Sequence, residues 1–223
     1  MNAAAQLPIR RATQADVPRI ARLFTAAFAR DPVFDWLART GSKRYAALER
    51  FFAWILEHRT VPHGETWISG DSAAAAAWIP PYAAPGPSRL AEDLRLLPVM
   101  LRLTGVSRLP RGASMAAAME NAHPNVPYFY LAFIAVAPRM QGAGRGSNLL
   151  RQTLARADAA GAGAYLENSN PRNLGLYQRA GFAVTREIKA RPDAPPVYAM
   201  WRNAEERATG TWTRDYGSKT MSQ

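Results

Sequence analysis

The chain has 223 residues, of which 48% are hydrophobic and 20% are charged, a composition typical of a globular protein with a real core. Lys and Arg number 28 against 17 Asp and Glu, a formal net charge of +11; anionic partners are therefore plausible, but the basic residues are scattered and form no block of the kind found in nucleic-acid-binding segments. The absence of cysteine excludes disulfides, thiolate metal sites and a thiol nucleophile.

The N-terminal segment predicts a strand followed by helices. PIRRAT has the pattern of a short strand, and Thr13 followed by Asp16 is typical of a helix N-cap. Apolar residues then recur on one helical face at Ile20, Leu23, Phe24 and Phe28. The segment SKRYAALERFFAWILEHR repeats the helical spacing at Tyr45, Leu48, Phe52 and Ile55. We therefore expect an order that begins with a strand and a helix.

An Ala-rich segment comes next and is interrupted by prolines. ETWIS and AAAAAWIPP flank a turn at Gly70 and Asp71, which predicts a hairpin, although the alanines alone would also suit a helix. The prolines break SAAAAAWIPPYAAPGPS well short of the roughly 20 apolar residues that a membrane helix needs. The amino terminus lacks the apolar core of a signal peptide. We expect a soluble, cytoplasmic protein with no membrane partner.

Residues 86–122 predict two further helices joined through Pro110. The run VPYFYLAFIAVAP is apolar on both faces, which predicts a buried central strand. From Ser147 the apolar positions again follow helical spacing, and Gly161 is a natural stop for that helix.

The C-terminal part predicts alternating short elements. AYLENS predicts a strand, and Asn170 is expected to cap a short helix with Pro171 at its first position. FAVTREI and PPVYAMW suit a closing antiparallel pair. The tail after Arg202 has little periodicity, so we expect a loosely held extension.

The stretch QGAGRGSNLL places three glycines at alternate positions where a predicted strand leads into a helix. Such a turn exposes backbone N–H groups at the positive end of the helix dipole, which suits a phosphate, and glycine lets the anion approach them. A tight turn that needs glycine only for its geometry is the alternative. A Walker loop is excluded because no Gly-Lys-Ser/Thr follows, and a Rossmann fingerprint fails because Ser147 or Leu149 stands at its third glycine position.

The longer stretch VAPRMQGAGRGSNLL resembles the acetyl-CoA-binding motif of the GNAT superfamily of N-acetyltransferases. It matches the pattern Val-x-Pro-x-x-Arg/Gln-Gly-x-Gly-x-Gly/Ala at every fixed position. YLENSNPRNLGLYQRAGF is similar to the family's C-terminal half, which carries a strand, an Asn, a helix with Tyr, and Gly-Phe. The stretch from HPNVPYFYL to AMWR further resembles the branch that contains puromycin N-acetyltransferase. The N-terminal half matches only through its element order and TQADVP.

The resemblance implies an α/β fold with a mixed, mostly antiparallel sheet that is flanked by helices and splayed between its fourth and fifth strands, with acetyl-CoA in the gap. We expect one domain over residues 1–202, with an acceptor-side half (1–125) and an acetyl-CoA-binding half (126–202), followed by an extension at 203–223. The backbone around Ile134 and Val136 would align the pantetheine arm. The remaining residues that the resemblance assigns to acetyl-CoA are Gln141, Gly142, Ala143, Gly144, Arg145, Gly146, Asn173 and Tyr177.

Acetyl transfer to an amine needs a proton for the departing thiolate and a group that deprotonates the ammonium. Tyr177 and Asn173 are four residues apart and share a helical face, and the resemblance makes Tyr177 the acid. Glu167 is the candidate base, while Glu120, His123 and water remain open alternatives. Metal ligation has no support, because the three histidines, His58, His63 and His123, show no metal-ligand spacing.

The acceptor pocket of this fold class is built by the N-terminal helices and inserted segments. Aromatic and acidic side chains there suit an organic cation, although the same aromatics could be core; the candidates are Asp31, Phe34, Asp35, Trp36, Trp54 and Tyr82. We expect an N-acetyltransferase of a small-molecule amine that is a monomer or homodimer and binds no nucleic acid. The alternatives are a non-catalytic acyl-CoA sensor, a protein or peptide N-acetyltransferase, and a basic nucleic-acid-binding protein.

Overall fold

A computed structural model describes residues 8–83 and 89–205. Within these ranges the strands are β1 (Ile9–Arg11), β2 (Thr66–Ser69), β3 (Ala74–Ile79), β4 (Tyr128–Val136), β5 (Gly163–Asn168), β6 (Ala183–Ile188) and β7 (Val197–Arg202). The helices are α1 (Val17–Phe28), α2 (Pro32–Leu37), α3 (Arg44–Ile55), α4 (Arg89–Glu120), α5 (Arg145–Ala159) and α6 (Leu174–Arg179). The predicted extension lies outside the described residues from position 206 onward.

The strands form one sheet in the order β1-β2-β3-β4-β5-β7-β6. Every neighbouring pair is antiparallel except β4 and β5, which are parallel. This arrangement confirms the predicted mixed, mostly antiparallel sheet flanked by helices. The predicted hairpin is confirmed as β2 and β3, and the predicted closing pair as β6 and β7.

The alanines of β3 explain how helices cover both faces of the sheet. Ala75 and Ala77 face a core cluster built with α1 and α3, whereas Ala74 and Ala76 face a second cluster built with α5. Successive strand residues point to opposite faces, and all four alanines are fully buried. Small side chains let the helices lie close to the strand, so the segment is a doubly covered strand and not a helix.

The start of the first helical segment is held by a buried carboxylate. The prediction that Thr13 is an N-cap is confirmed, and its backbone N–H donates to Asp16 at 2.9 Å. The Arg10 guanidinium donates two further hydrogen bonds to Asp16, at 2.8 and 2.7 Å. The strand β1 and the helix that follows are thereby tied together through one side chain.

Two predicted boundaries and one predicted apolar position differ from the structure. The two helices of the 89–120 segment meet at Gly105, where φ is 69° and ψ is 171°, and not at Pro110. Glycine adopts this positive φ without a Cβ clash, whereas Pro110 lies inside the second helical half. The helix predicted from Ser147 begins at Arg145. Tyr45, which the periodicity assigned to the apolar face of its helix, is 59% exposed.

Candidate functional site

The strands β4 and β5 separate partway along their length. Their parallel pairing ends at Leu131 opposite Leu166. Beyond this point β4 continues to Val136 along β3, and β5 continues to Asn168 along β7. Among the described residues, the β5-facing side of β4 after Leu131 therefore has no strand partner, as the predicted splay requires.

A β-bulge lies where the two strands separate. Ala77 pairs with Phe133 while the next residue, Trp78, pairs with Leu131, which leaves Ala132 as an extra residue in β4. A bulge bends its strand and increases its twist. The bulge at Ala132 thus gives a local cause for the gap between β4 and β5.

The glycine-rich loop, residues 141–146, closes one end of this gap. Gly142 and Gly144 have φ values of 80° and 74°, and a Cβ built on either would meet no heavy atom within 4 Å. Gly144 is the N-cap of α5, and the first N–H groups of a helix have no intrahelical acceptor. The loop therefore presents uncovered backbone donors and a positive dipole end to open space, which suits a phosphate.

An ion pair anchors this loop to the turn between β2 and β3. Arg145 Nη1 lies 2.5 Å from Asp71 Oδ2, and Asp71 also accepts a hydrogen bond from the Ser69 hydroxyl at 2.7 Å. The Ser69 hydroxyl, the Ala73 N–H and the Arg145 guanidinium lower the pKa of Asp71 to about 2. The carboxylate is thus ionised at neutral pH and holds Arg145, which links the start of α5 to the sheet.

Tyr177 lies on α6 at the base of the gap. Its side chain is buried, and burial together with the nearby Asp31 carboxylate raises the pKa of the Tyr177 phenol well above its ordinary value. The phenol therefore remains protonated at neutral pH. Asn173, the N-cap of α6, lines the same cavity as Tyr177.

Glu167 lies on β5 beside the gap and contacts His123. His123 Nε2 is 2.9 Å from Glu167 Oε1, and the side chains are 22% and 2% exposed. This distance is short enough for an ion pair, although the geometry at Glu167 Oε1 is not that of a hydrogen bond. The other ring nitrogen of His123 lies 2.5 Å from the Tyr128 hydroxyl. Burial and the neighbouring Glu167 raise the pKa of Tyr130. Sequence spacing could not bring His123 and Glu167 together, since His123 lies in the turn between α4 and β4, where its ring packs on Tyr130 and Tyr165.

A cavity of about 310 Å³ extends from the gap between α1, α2, α3 and α4. Its charged lining residues, within the described parts of the chain, are Asp31, Arg59 and Glu167. Phenylalanine, methionine and aliphatic side chains form most of the remaining wall. Ile134, Glu167, Asn173 and Tyr177, which the sequence assigned to chemistry or acetyl-CoA, all line it.

Of the predicted acceptor residues, Phe34 and Asp31 line this cavity and the others do not. Asp35 is largely exposed and pairs with Arg44 at 2.7 Å. Trp36 donates its indole N–H to Asp193. Trp54 is buried against His58, with ring centroids 4.8 Å apart, and Tyr82 is 64% exposed. The assignment of these four residues to the acceptor site stays a prediction, since none of them lines the cavity.

Sequence reasoning did not single out Ser169 and the methionines of α4. The Ser169 hydroxyl donates to Asp31, and Met100, Met115 and Met119 line the cavity. The position of Ser169 just past the end of a strand beside the gap was the one signal available. Within the described ranges no group of His, Cys, Asp and Glu is arranged to hold a metal ion, and no helix has the length and apolar character needed to cross a membrane.

Comparison with known proteins gives a family match over part of the chain and a shared fold. Residues 109–182 match the model of the acetyltransferase (GNAT) family. A structure of a histone acetyltransferase HPA2 and related acetyltransferase from Corynebacterium glutamicum is 27% identical, with 92% of this chain and 99% of that chain covered and a TM-score of 0.67.

Two further solved structures share the fold at lower identity. The Drosophila melanogaster polyamine N-acetyltransferase is 15% identical over 88% of this chain and 99% of that chain, with a TM-score of 0.62. The arylalkylamine N-acetyltransferase 2 of Aedes aegypti is 13% identical over 89% and 99%, with a TM-score of 0.63. The chain thus has the fold of the GNAT acetyltransferases, and its segment 109–182, which contains the glycine-rich loop and Tyr177, matches the acetyltransferase (GNAT) family.

Proposed function

We propose that the protein transfers the acetyl group of acetyl-CoA to the primary amine of a small molecule. The amine nitrogen attacks the thioester carbonyl directly, so that a C–N bond forms and the C–S bond breaks, one proton leaves the nitrogen and one reaches the sulfur. The absence of cysteine excludes a thiol acyl-enzyme and supports direct attack. The observation that carries this proposal is the cavity that joins Tyr177 and Glu167 at the gap beside the uncovered helix N-terminus.

The residues at the gap fit acetyl-CoA. The space above Gly142 and Gly144 is open, and backbone donors there suit a pyrophosphate. Within the described part of the chain, the segment of β4 from Ala132 to Val136 has no strand partner on its β5 side, which suits the amide groups of the pantetheine arm. When bound, acetyl-CoA supplies the activated thioester. The Gln141 side chain donates to the Val136 carbonyl at 3.1 Å, so Gln141 would share this edge with the arm.

Tyr177 would donate the proton that the thiolate needs. A phenol kept protonated by burial is available as a donor at neutral pH. Burial also makes the phenol a weaker acid, but the same low-dielectric surroundings disfavour a free thiolate and raise its basicity, which acts against that loss. Asn173, four residues earlier, would help to position the cosubstrate.

Glu167 would accept the proton of the ammonium, with His123 beside it. The Glu167 side chain is buried at the cavity wall, whereas His123 is partly exposed, so the pair offers a route from the cavity to solvent. Glu120 is exposed at the end of α4 and does not line the cavity, which favours Glu167 over it. Water remains an alternative relay.

The acceptor is proposed to be a small molecule because the cavity is partly enclosed and sized for one. Solved structures with this fold include polyamine, agmatine and arylalkylamine N-acetyltransferases, which guides the choice of amines to test. The resemblance to the puromycin N-acetyltransferase branch adds aminonucleosides to that choice.

The experiment is a coupled free-thiol assay with acetyl-CoA against aminonucleosides, arylalkylamines, polyamines and peptides. Thiol release that depends on a small amine is expected. Binding of acetyl-CoA without thiol release for any amine would indicate a sensor, and preference for peptides by tenfold or more would indicate a protein N-acetyltransferase. Filter binding with RNA and DNA across salt concentrations covers the remaining alternative, since a steep salt slope marks multiple phosphate contacts.

A further inference from the structure

Asp31 is a buried carboxylate at the reacting end of the cavity. It is 7% exposed and lines the cavity together with Ser169 and Tyr177. Its Oδ1 caps α2 by accepting from the N–H groups of Val33 and Phe34 at 2.9 and 3.3 Å. The Ser169 hydroxyl donates to its Oδ2. Capping α2 engages one oxygen, and the second reaches across to the end of β5 beside the gap.

The hydrogen-bond donors of Asp31 are neutral, and the charge that acts on it from nearby is the like charge of Asp35. Burial is the main cause that raises the pKa of the Asp31 carboxyl, and Asp35 adds to it. A desolvated carboxylate gains most from a cation brought to it by a ligand. Since the position adjoins Tyr177, an ammonium bound at Asp31 would lie near the group proposed to assist the reaction.

The rest of the cavity is suited to an apolar body. Phe28, Phe34, Phe51 and Phe133 line it and contact one another edge to face, with centroids 5.9 Å apart for Phe28 and Phe34 and 6.2 Å apart for Phe51 and Phe133. Methionine side chains, which adapt to irregular shapes, form the wall contributed by α4; they are Met100, Met115 and Met119.

The apolar wall away from Asp31 and Glu167 argues against a second cation in the ligand. Apart from Asp31 and Glu167, the charged lining residue within the described ranges is Arg59. Arg59 extends the face of α3 that carries Phe51 and Ile55, and its guanidinium stacks on Trp54 at 5.5 Å from the ring centroid. A polyamine would bring its distal ammonium to the apolar part of the wall, which is costly.

We propose, on the basis of the proposed acetyl transfer, that the acceptor is a lipophilic primary monoamine. Its ammonium binds at Asp31 and Ser169, and its apolar body fills the cavity between the phenylalanines and the methionines of α4. Asp31 then determines specificity through direct contact with the acceptor, a role that its capping of α2 does not require.

The test compares amines that differ in apolar body and in charge. The full chain is assayed for thiol release from acetyl-CoA with 2-phenylethylamine, octylamine, putrescine, agmatine and spermidine at one pH. We expect kcat/KM for 2-phenylethylamine to exceed that for putrescine by at least 100-fold. Equal or better use of the polyamines overturns the inference while leaving acetyl transfer to amines intact. Absence of transfer to every amine, with acetyl-CoA still bound, overturns the proposed function and the inference together.

The variant Asp31→Asn separates charge from capping, because Asn is also a good N-cap. We expect the KM for 2-phenylethylamine to rise at least tenfold, with an unchanged thermal midpoint and unchanged acetyl-CoA affinity. Competitive inhibition by the neutral analogue 2-phenylethanol should remain within twofold of the parent. Asp193→Asn, which alters a carboxylate outside the cavity, is the matched control and should behave as the parent. An unchanged KM in Asp31→Asn, or an equal loss of 2-phenylethanol binding, overturns the assignment.

Discussion

The glycine-rich loop allows a matched pair of substitutions that separates backbone strain from ligand contact. Gly144, at the start of α5, and Gly161, just past its end, have φ values of 74° and 61°. A Cβ at either position would meet no heavy atom within 4 Å. Gly144→Val and Gly161→Val therefore impose the same kind of strain at opposite ends of one helix. Only Gly144 lies where the proposed pyrophosphate would bind.

The expected magnitudes follow from these two positions. A left-handed φ costs a residue with a Cβ about 1–2 kcal/mol, with the upper end expected for a β-branched side chain. Both variants should thus lose about 2 kcal/mol of unfolding free energy. At Gly144 the valine also occupies the space over the free N–H groups. Loss of two charge-assisted hydrogen bonds, each worth about 1.5–3 kcal/mol, would weaken acetyl-CoA binding by roughly 100-fold or more.

Titration calorimetry with acetyl-CoA measures the affinity, and urea denaturation measures the stability of each variant. Gly161→Val should bind acetyl-CoA within about twofold of the parent, because α5 carries the ligand site only at its other end. Full affinity in Gly144→Val would refute the loop assignment. Equal losses of affinity in both variants would show that strain in α5, and not contact at Gly144, controls binding.

Three further predictions concern catalysis and stability. Tyr177→Phe removes one hydroxyl, so kcat should fall by about 10²–10⁴ with acetyl-CoA affinity nearly unchanged; an unaffected kcat in a stopped assay would move the acid role to another group or water. Glu167→Gln should lower kcat/KM most at low pH, where the amine is mostly protonated, and a pH profile parallel to the parent's would favour His123 or Glu120 as the base. Asp16→Asn should lose about 2 kcal/mol of unfolding free energy at pH 7, because hydrogen bonds to a buried charge are lost. The Arg10 guanidinium holds the pKa of Asp16 below its ordinary value, so this contribution exists above about pH 4 and disappears as pH falls through the folded-state pKa; denaturation curves of parent and variant that fail to converge in acid would contradict it.

Local patterns in the sequence determined most of the elements and the glycine-rich loop. Capping at Thr13, the β2–β3 hairpin, the central strand β4 and the glycine-rich entry to α5 depend on neighbours within a few residues, and such interactions can be predicted from spacing. The position of the helix break at Gly105 was missed because both a proline and a glycine can end a helix. Backbone conformation at that point depends on how the two halves of α4 pack.

Only the tertiary structure decided which side chains meet in the site. The sequence around an aromatic residue does not show whether its side chain lines a cavity, is buried in the core or faces solvent. Tertiary packing places Phe34 in the cavity wall, Trp54 in the core and Tyr82 at the surface. His123 approaches Glu167 because the turn before β4 packs the histidine ring on Tyr130 and Tyr165, beside Glu167. Asp31 and Ser169 are 138 residues apart in the chain and form a hydrogen bond across the gap. Contacts at such separation are set by the sheet order and the bulge in β4, since no local preference of the chain specifies them.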